Sequence, residues 1–313
     1  MGVDMNERIE AIVNNIEKVI VGKREPIVKV ICAMLSEGHI LVEDVPGVGK
    51  TRLISALAGS VDGKFNRIQL TPDIMPSDIV GFSMINNQTR ELEYKPGAAM
   101  CNFLLADEIN RASPKAQSSL LEIMEEHQIS LDAVTMPLPM PFMVMATENP
   151  VETYGTYHLP EAQMDRFLMR ISMGYPSYED EFDIVRRSEQ AYFNEKLSPV
   201  MSVDEVLEHI ENVKKVNCTD SIVDYVLRLV CATRQSELVT LGASPRASIA
   251  LLKAAKAYAY VQNRDYVVPD DVKTMMSCVL SHRLILSAKG KSAYESAEKV
   301  MEQIALSVEA PKK

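Results

Sequence analysis

The chain has 313 residues, 47% of them apolar and 24% charged, with a formal net charge of −10. That length allows one large domain or two ordinary ones, each with a sizeable core. The acidic balance argues against a protein that neutralises nucleic-acid phosphates, although it leaves room for a local basic patch.

The first ten residues, MGVDMNERIE, carry acids and no apolar core, so no signal peptide is expected. The longest apolar runs, such as Val30 to Leu35, fall far short of the ~18 residues that span a membrane. The five cysteines (Cys32, Cys101, Cys218, Cys231, Cys278) are scattered and form no CxxC pair. They argue against a disulfide framework or a zinc site and point to a reducing compartment, the cytoplasm.

In chain order, Ile9, Ile12, Val13, Ile16 and Ile20 sit at helical spacing, and Ile27, Val30, Ile31 and Met34 repeat the pattern after Pro26. The run His39–Val42 reads as a buried strand, and Thr51–Gly59 as the helix that follows. Similar apolar runs recur at Arg67–Leu70, Asn102–Ala106, Phe142–Ala146 and Leu168–Met173. Between them a helix opens with Ser113 as N-cap and Pro114 in its first turn, and runs to about His127. Strands alternating with helices imply an α/β fold with a mostly parallel sheet covered on both faces.

The stretch Thr71–Ala99 interrupts this rhythm. Thr71-Pro72 and Met75-Pro76 break helix, and alternation around Phe82, Met84, Ile85, Leu92 and Tyr94 suggests a hairpin closed near Asn86-Asn87, projecting as an insertion. After Gly174-Tyr-Pro-Ser177 the pattern turns helical: Glu179–Gln190, Val203–Val213, Ser221–Ser236, Arg246–Gln262, Pro269–Leu284 and Ala293–Ser307. The expected division is 1–175 for the α/β domain and 176–313 for an all-α one. A single domain with a helical tail is the alternative.

Three segments carry chemistry. Asp44-Val-Pro-Gly47-Val-Gly49-Lys50-Thr51 follows the first strand and matches the phosphate-loop (Walker A) pattern, except that Asp44 stands where the pattern has Gly. Glycines let backbone N–H groups approach phosphate oxygens, and the loop feeds a helix N-terminus that favours anions. Lys50 would meet the β- and γ-phosphates, and Thr51 would ligate Mg²⁺. The competing reading is an ordinary Gly-Pro turn.

Phe103-Leu-Leu-Ala-Asp107-Glu108 ends a strand in two acids (a Walker B pattern). Asp107 suits a second Mg²⁺ contact, and Glu108 suits polarisation of the attacking water; alone, such a pair marks a solvated strand end. Ala146-Thr147-Glu148-Asn149-Pro150 offers an amide, Asn149, that could sense the γ-phosphate, though Asn-Pro is also turn-prone. All three follow the carboxyl ends of predicted strands, where ligands of open α/β sheets bind.

With these residues in hand, the sequence resembles the MoxR family of AAA+ ATPases. The resemblance is carried by GVGKT (Gly47–Thr51), LLADEINRASPKAQSSLLEIMEE (Leu104–Glu126), ATENP (Ala146–Pro150), LPEAQMDRF (Leu159–Phe167) and GASPRA (Gly242–Ala247), and runs from about Val19 to His282. It implies a phosphate-loop NTPase sheet followed by a helical lid, with ATP and Mg²⁺ as cofactors. It makes Asn149 the sensor 1 residue, Arg166 an arginine finger acting on a neighbouring subunit's ATP, and Arg246 a sensor 2 residue reaching from the lid to the γ-phosphate, so that ATP would bridge the two domains. On the residues alone, Arg166 reads as a surface charge and Arg246 as a residue near a helix start.

The resemblance further makes Val21-Gly22 the adenine-pocket segment, Thr71–Ala99 the helix-2 insert and Ser130–Pro141 a pre-sensor 1 hairpin. Asn110 and Arg111 fall at the implied subunit interface. The expected catalytic set is Glu108, Lys50, Asn149, Arg166 and Arg246. The expected nucleotide-binding set is Val21, Gly22, Pro46, Gly47, Val48, Gly49, Lys50, Thr51, Arg52, Asp107 and Arg246, with Thr51 and Asp107 as the metal ligands. The family implies a ring of six copies and a chaperone-like action on protein partners, such as von Willebrand factor A-type domain proteins, with no nucleic acid and no membrane span. Two other readings remain: a nucleotide-gated assembly switch with little hydrolysis, and a DNA-directed motor or insertase subunit. The five histidines and 18 methionines are expected to be structural.

Overall fold

The computed structural model describes residues 5–45, 47–131, 134–149, 156–157, 159–188 and 197–311. In chain order, α1 (Glu7–Glu17) and α2 (Arg24–Leu35) precede β1 (Ile40–Glu43), and α3 (Lys50–Ser60) leads to β2 (Phe65–Gln69). The short α4 (Pro76–Val80) and the hairpin β3 (Gly81–Ile85) and β4 (Leu92–Pro96) come before β5 (Phe103–Asp107). A 3-10 turn (Ile109–Arg111) and α5 (Pro114–Glu126) follow, then a second hairpin, β6 (Gln128–Leu131) and β7 (Val134–Pro137), then β8 (Met143–Glu148), α6 (Glu161–Met164) and β9 (Met169–Ile171).

The central sheet has strand order β2-β5-β8-β1-β9, and every pairing in it is parallel. Its strands bury both faces, which is why they read as continuous apolar runs. Alternation assigns the faces: Ile40, Val42, Phe103, Leu105, Met143 and Met145 join a core with α1, α2 and α3. Leu41, Leu104, Ala106, Val144 and Ala146 join a second core with α5. Ser113 caps α5 as expected, its hydroxyl accepting the Ala116 N–H at 3.3 Å.

The insertion is a hairpin in the expected register, Gly81 opposite Pro96 and Ile85 opposite Leu92. Its loop is wider than Asn86-Asn87 and is held by the Asn86 side chain, which accepts the N–H groups of Gln88 and Thr89. The alternation there does not mark a buried face: Phe82, Met84, Ile85 and Leu92 are all exposed.

Beyond Pro176 come α7 (Tyr178–Ser188), α8 (Val203–Lys215), α9 (Asp220–Gln235), α10 (Pro245–Val261), α11 (Pro269–Leu280), α12 (Ala288–Ala293) and α13 (Ala297–Leu306). This half is not wholly helical. Two short strands, β10 (Val239–Leu241) and β11 (Ile285–Leu286), pair antiparallel, and the helix expected to reach Leu284 stops at Leu280, giving way to a 3-10 turn (Ser281–Arg283) before β11. Of the helices, α8, α9, α10, α11 and α13 share one core with α1, α2 and the adjoining face of the sheet.

Three buried polar residues lock the amino-terminal edge of the sheet. His39 accepts the Val144 N–H on Nδ1 at 3.0 Å, so its Nε2 carries the proton and donates to the Met124 carbonyl at 2.9 Å. His282 Nε2 pairs with the Phe167 carbonyl at 3.1 Å. Arg283, 3% exposed at its side chain, donates to the Asp165 carboxylate at 2.6 Å and to the carbonyls of Phe167 (2.7 Å) and Leu168 (3.2 Å).

Burial pulls the His39 imidazole down to about 4, and pulls His282 well below its ordinary value. A histidine whose folded pKa lies below its unfolded ~6.5 contributes stability fully above 6.5 and loses it as pH falls toward the folded value. Between pH 6.5 and 5, His39 alone should cost about 2 kcal/mol, with His282 adding to it. Urea unfolding at pH 7.5 and pH 5 measures the loss; equal stabilities would mean that neither ring is held neutral.

Candidate nucleotide site

The turn after β1 has the geometry that its glycines predict. Gly47 and Gly49 take φ of +89° and +93°, a region that L side chains rarely adopt. A Cβ at Gly47 would meet nothing within 4 Å, so the backbone here faces open space. Gly49 is the N-cap of α3, and Lys50 and Thr51 are its first residues, so free N–H groups of a helix N-terminus open onto the same turn. Pro46 lies outside the described residues.

Asp44, the departure from the pattern, turns out to be an anchor. Its side chain, 7% exposed, accepts the Gly174 N–H at 3.1 Å, the Ser172 hydroxyl at 3.2 Å and the Met173 N–H. It thereby ties the loop after β1 to the chain leaving β9. Its carbonyl receives the Lys50 ammonium at 2.8 Å. Burial lowers the Lys50 pKa, while Asp44, Asp107 and Glu108 act against that shift through their charges.

Asp107 ends β5, next to β8 in the sheet, and Glu108 follows it in the left-handed region, φ +57°. The buried Thr147 hydroxyl bridges the two acids: it donates to Asp107 Oδ1 at 3.1 Å and accepts the Glu108 N–H at 2.9 Å. Arg67 Nε donates to Asp107 Oδ2 at 2.7 Å, and Arg111 to Glu108 Oε2 at 3.1 Å. Asn149, 6% exposed, lies just past the end of β8 at the same sheet edge. In the sequence Thr147 stands out only as a hydroxyl at the end of an apolar strand, in ATENP.

Beside the loop lies a cavity of about 370 Å³, lined by Val19, Val21, Val48, Arg52, Tyr175 and Val185 among others. It is a mainly apolar slot open to the glycine turn, fitted to a flat base with its phosphates on the loop. Gly22 (φ +67°) packs against Asp180, whose carboxylate fills the place of a Cβ. Among the described residues no cluster of three or more His, Cys, Asp or Glu could hold a metal. Mg²⁺ suits such a site, because it is usually held by one or two carboxylates and the phosphates themselves; Asp107, next to Thr147, and Thr51 are the fitting protein groups.

Arg166 and Arg246 are elsewhere. Arg166 Nε donates to Glu125 Oε2 at 2.8 Å, and Arg246 to Glu125 Oε1 at 2.6 Å. With them, Ser36–His39 and Asp165 line a cleft of about 220 Å³. Residues 36–39 precede β1, and 165–168 precede β9, so this cleft is at the amino-terminal edge of the sheet. The glycine turn follows the carboxyl end of β1. The four residues of β1 separate them by about 13 Å. The expectation that Arg246 reaches its own subunit's γ-phosphate is therefore corrected: the first turn of α10 is pinned to the opposite edge, where Ser244 also donates to Asp165 at 3.0 Å. Glu125, Asp165 and Arg283, none of them singled out in the sequence, build this second cluster.

Residues 39–169 match the family described as "ATPase family associated with various cellular activities (AAA)", and 231–304 match the AAA lid domain. Chaperone MoxR1 of Mycobacterium tuberculosis is 41% identical, over 97% of this chain and 82% of that one. The uncharacterised YeaC of Bacillus subtilis is 47% identical, over 98% and 96%. A crystal structure of a candidate ATPase from Cytophaga hutchinsonii is 39% identical, covers 98% of this chain and 96% of that one, and superposes with a TM-score of 0.90.

Replacing Asp44 by Ala would leave the Met173 N–H and the Ser172 hydroxyl without their acceptor, and the Gly174 N–H with the Ser172 oxygen alone. The variant should lose about 1–3 kcal/mol in urea unfolding and bind a fluorescent ATP analogue on the order of tenfold more weakly. Unchanged affinity and stability would deny Asp44 its anchoring role.

Proposed function

The chain belongs to the MoxR family of AAA+ ATPases, and on that premise we propose that it hydrolyses Mg²⁺-ATP between adjoining copies of itself and uses the cycle to remodel or mature partner proteins. One observation carries the reading: the phosphate-loop residues and the two arginines occupy opposite edges of one parallel sheet. Among the described residues, the carboxyl edge holds the phosphate loop and its acids, and the amino edge holds the two converging arginines. Two copies stacked edge to edge bring the two sets together, and a closed ring does so at every site.

In this reading Val21, Gly22, Val48 and Arg52 receive the base and sugar side of the nucleotide, and Gly47, Gly49 and Lys50 the phosphates. Thr51 and Asp107 would hold magnesium, which would supply positive charge beside the phosphate oxygens. Glu108 takes a proton from the attacking water, and Asn149 orients that water. Arg166 and Arg246 stabilise the transition state on the neighbour's nucleotide, where a fixed cation is worth most.

The chain divides in this reading into an α/β unit, 1–175, and a lid, 176–313. A ring of six and a von Willebrand factor A-type partner are taken from the family resemblance and stand with it; a cytoplasmic setting is taken from the scattered cysteines. The chaperone name of the mycobacterial relative favours a protein substrate, as does the net charge of −10. No helix among the described residues is long and apolar enough to cross a membrane. A second reading, an assembly switch with little hydrolysis, draws on the Arg111–Glu108 ion pair, which occupies the proposed base.

Steady-state turnover should rise per subunit with protein concentration and fall about 10³-fold or more in Arg166→Ala. Turnover independent of both would sink the shared site. Glu108→Gln should bind ATP yet hydrolyse it at least about 100-fold more slowly; parental turnover in that variant would remove Glu108 as the base. An absence of turnover in the parent, with ATP bound and assembly altered, would favour the switch. Steeply salt-dependent DNA binding in a low-salt gel shift would count against a protein substrate.

A further inference from the structure

The cleft at the amino-terminal edge brings two guanidinium groups toward each other. Arg166 arrives just ahead of β9, and Arg246 from the first turn of α10. Like charges held at such spacing repel unless a counter-charge lies between them. Glu125 supplies it, one oxygen to each arginine, at 2.8 and 2.6 Å.

The position of Glu125 is electrostatically unfavourable for a merely helical residue. It lies in the last turn of α5, a turn that contains no basic residue. A helix carboxyl end repels anions. Its placement makes sense through the partners it reaches across the fold, 41 and 121 residues away in sequence.

The three backbones are fixed independently of those side chains. The carbonyl of Met124, next to Glu125, is held by His39. The segment bearing Arg166 is held by Arg283 through the carbonyls of Phe167 and Leu168. The start of α10 is held by Ser244 against Asp165, which also pairs with Arg283. What Glu125 governs is therefore the direction of two long, flexible side-chain ends.

We propose that Glu125 is a positioning residue for hydrolysis at the neighbour's site: its carboxylate stands in for two γ-phosphate oxygens and keeps Arg166 and Arg246 converged until the neighbour's nucleotide arrives. Each arginine brings one positive charge and Glu125 one negative, while Glu122 and Glu126 also stand beside Arg166; the entering phosphate takes over the hydrogen bonds that Glu125 holds. Arginines already converged need no rearrangement when the phosphate enters, which is the condition for electrostatic preorganisation.

The inference rests on the reading of Arg166 and Arg246 as groups that serve a neighbouring copy, and the test separates the two. Turnover at saturating ATP and saturating protein is compared for the parent, Glu125→Gln, Glu125→Asp, Arg166→Ala and the double variant Glu125→Gln/Arg166→Ala. Binding of a fluorescent ATP analogue is measured at a protein concentration below assembly.

Glu125→Gln keeps the shape and removes the charge. It should lower kcat on the order of 10- to 100-fold, leave the analogue's affinity unchanged, and recover in part as Glu125→Asp. In the Arg166→Ala background it should have little further effect, because the two residues act as a unit. If Arg166→Ala collapses turnover and Glu125→Gln retains it, the positioning role is overturned and the shared site stands. An equal fractional loss from Glu125→Gln with and without Arg166 would also overturn it, making Glu125 a structural residue. If Arg166→Ala retains parental turnover, the reading beneath the inference falls, and the inference with it.

Discussion

In a parallel sheet the chain must be carried back before each new strand begins, so every loop at one edge follows a strand and every loop at the other precedes one. That constraint sorts the polar residues of this protein into two groups. Asp44, Lys50, Asp107, Glu108 and Asn149 come after strands and gather at the carboxyl edge. His39, Asp165 and Arg166 come before strands and gather at the amino edge, joined by Glu125, Arg246 and Arg283 from helices and the turn that follows one. A single direction of travel thus makes one molecule with two unlike edges.

Each edge is stiffened by a carboxylate that links distant parts of the chain. At one, Asp44 accepts donors from residues 172–174 and fixes the glycine turn to the exit of β9. At the other, Asp165 pairs with Arg283 and Ser244 and fixes the helical half to the entrance of the same strand. The short β9 is held at both ends. A displacement of the helical half would draw on Asp165, and through β9 on the anchor of the glycine turn, within a well-packed body that transmits strain.

Much of this was legible from the residues. The strands announced themselves as apolar runs because both faces are covered, and their order of chemistry followed from what stood at each carboxyl end. Two things were not legible. The stop of α11 at Leu280 precedes a 3-10 turn and β11, whose partner β10 is remote in sequence. The place of Arg246 depends on which edge α10 starts from, and a motif in a helical segment carries no such direction. Its partner Glu125 looked like one of many surface acids, being distinguished only by what folds against it.

The amino edge has a bearing on how the chain is made. Its parts come from residues 36–39, 124–125, 165–168, 244–246 and 283, whereas the glycine turn and its cavity draw on nothing later than Arg187 among the described residues. A ribosome moving along the message releases the elements of the carboxyl edge first, with roughly two fifths of the chain still to come. Arg283 emerges about a hundred residues later, and until then Asp165 and the segment bearing Arg166 lack the cation that fixes them. A growing chain would thus have every lining residue of its pocket before it had those of the other edge.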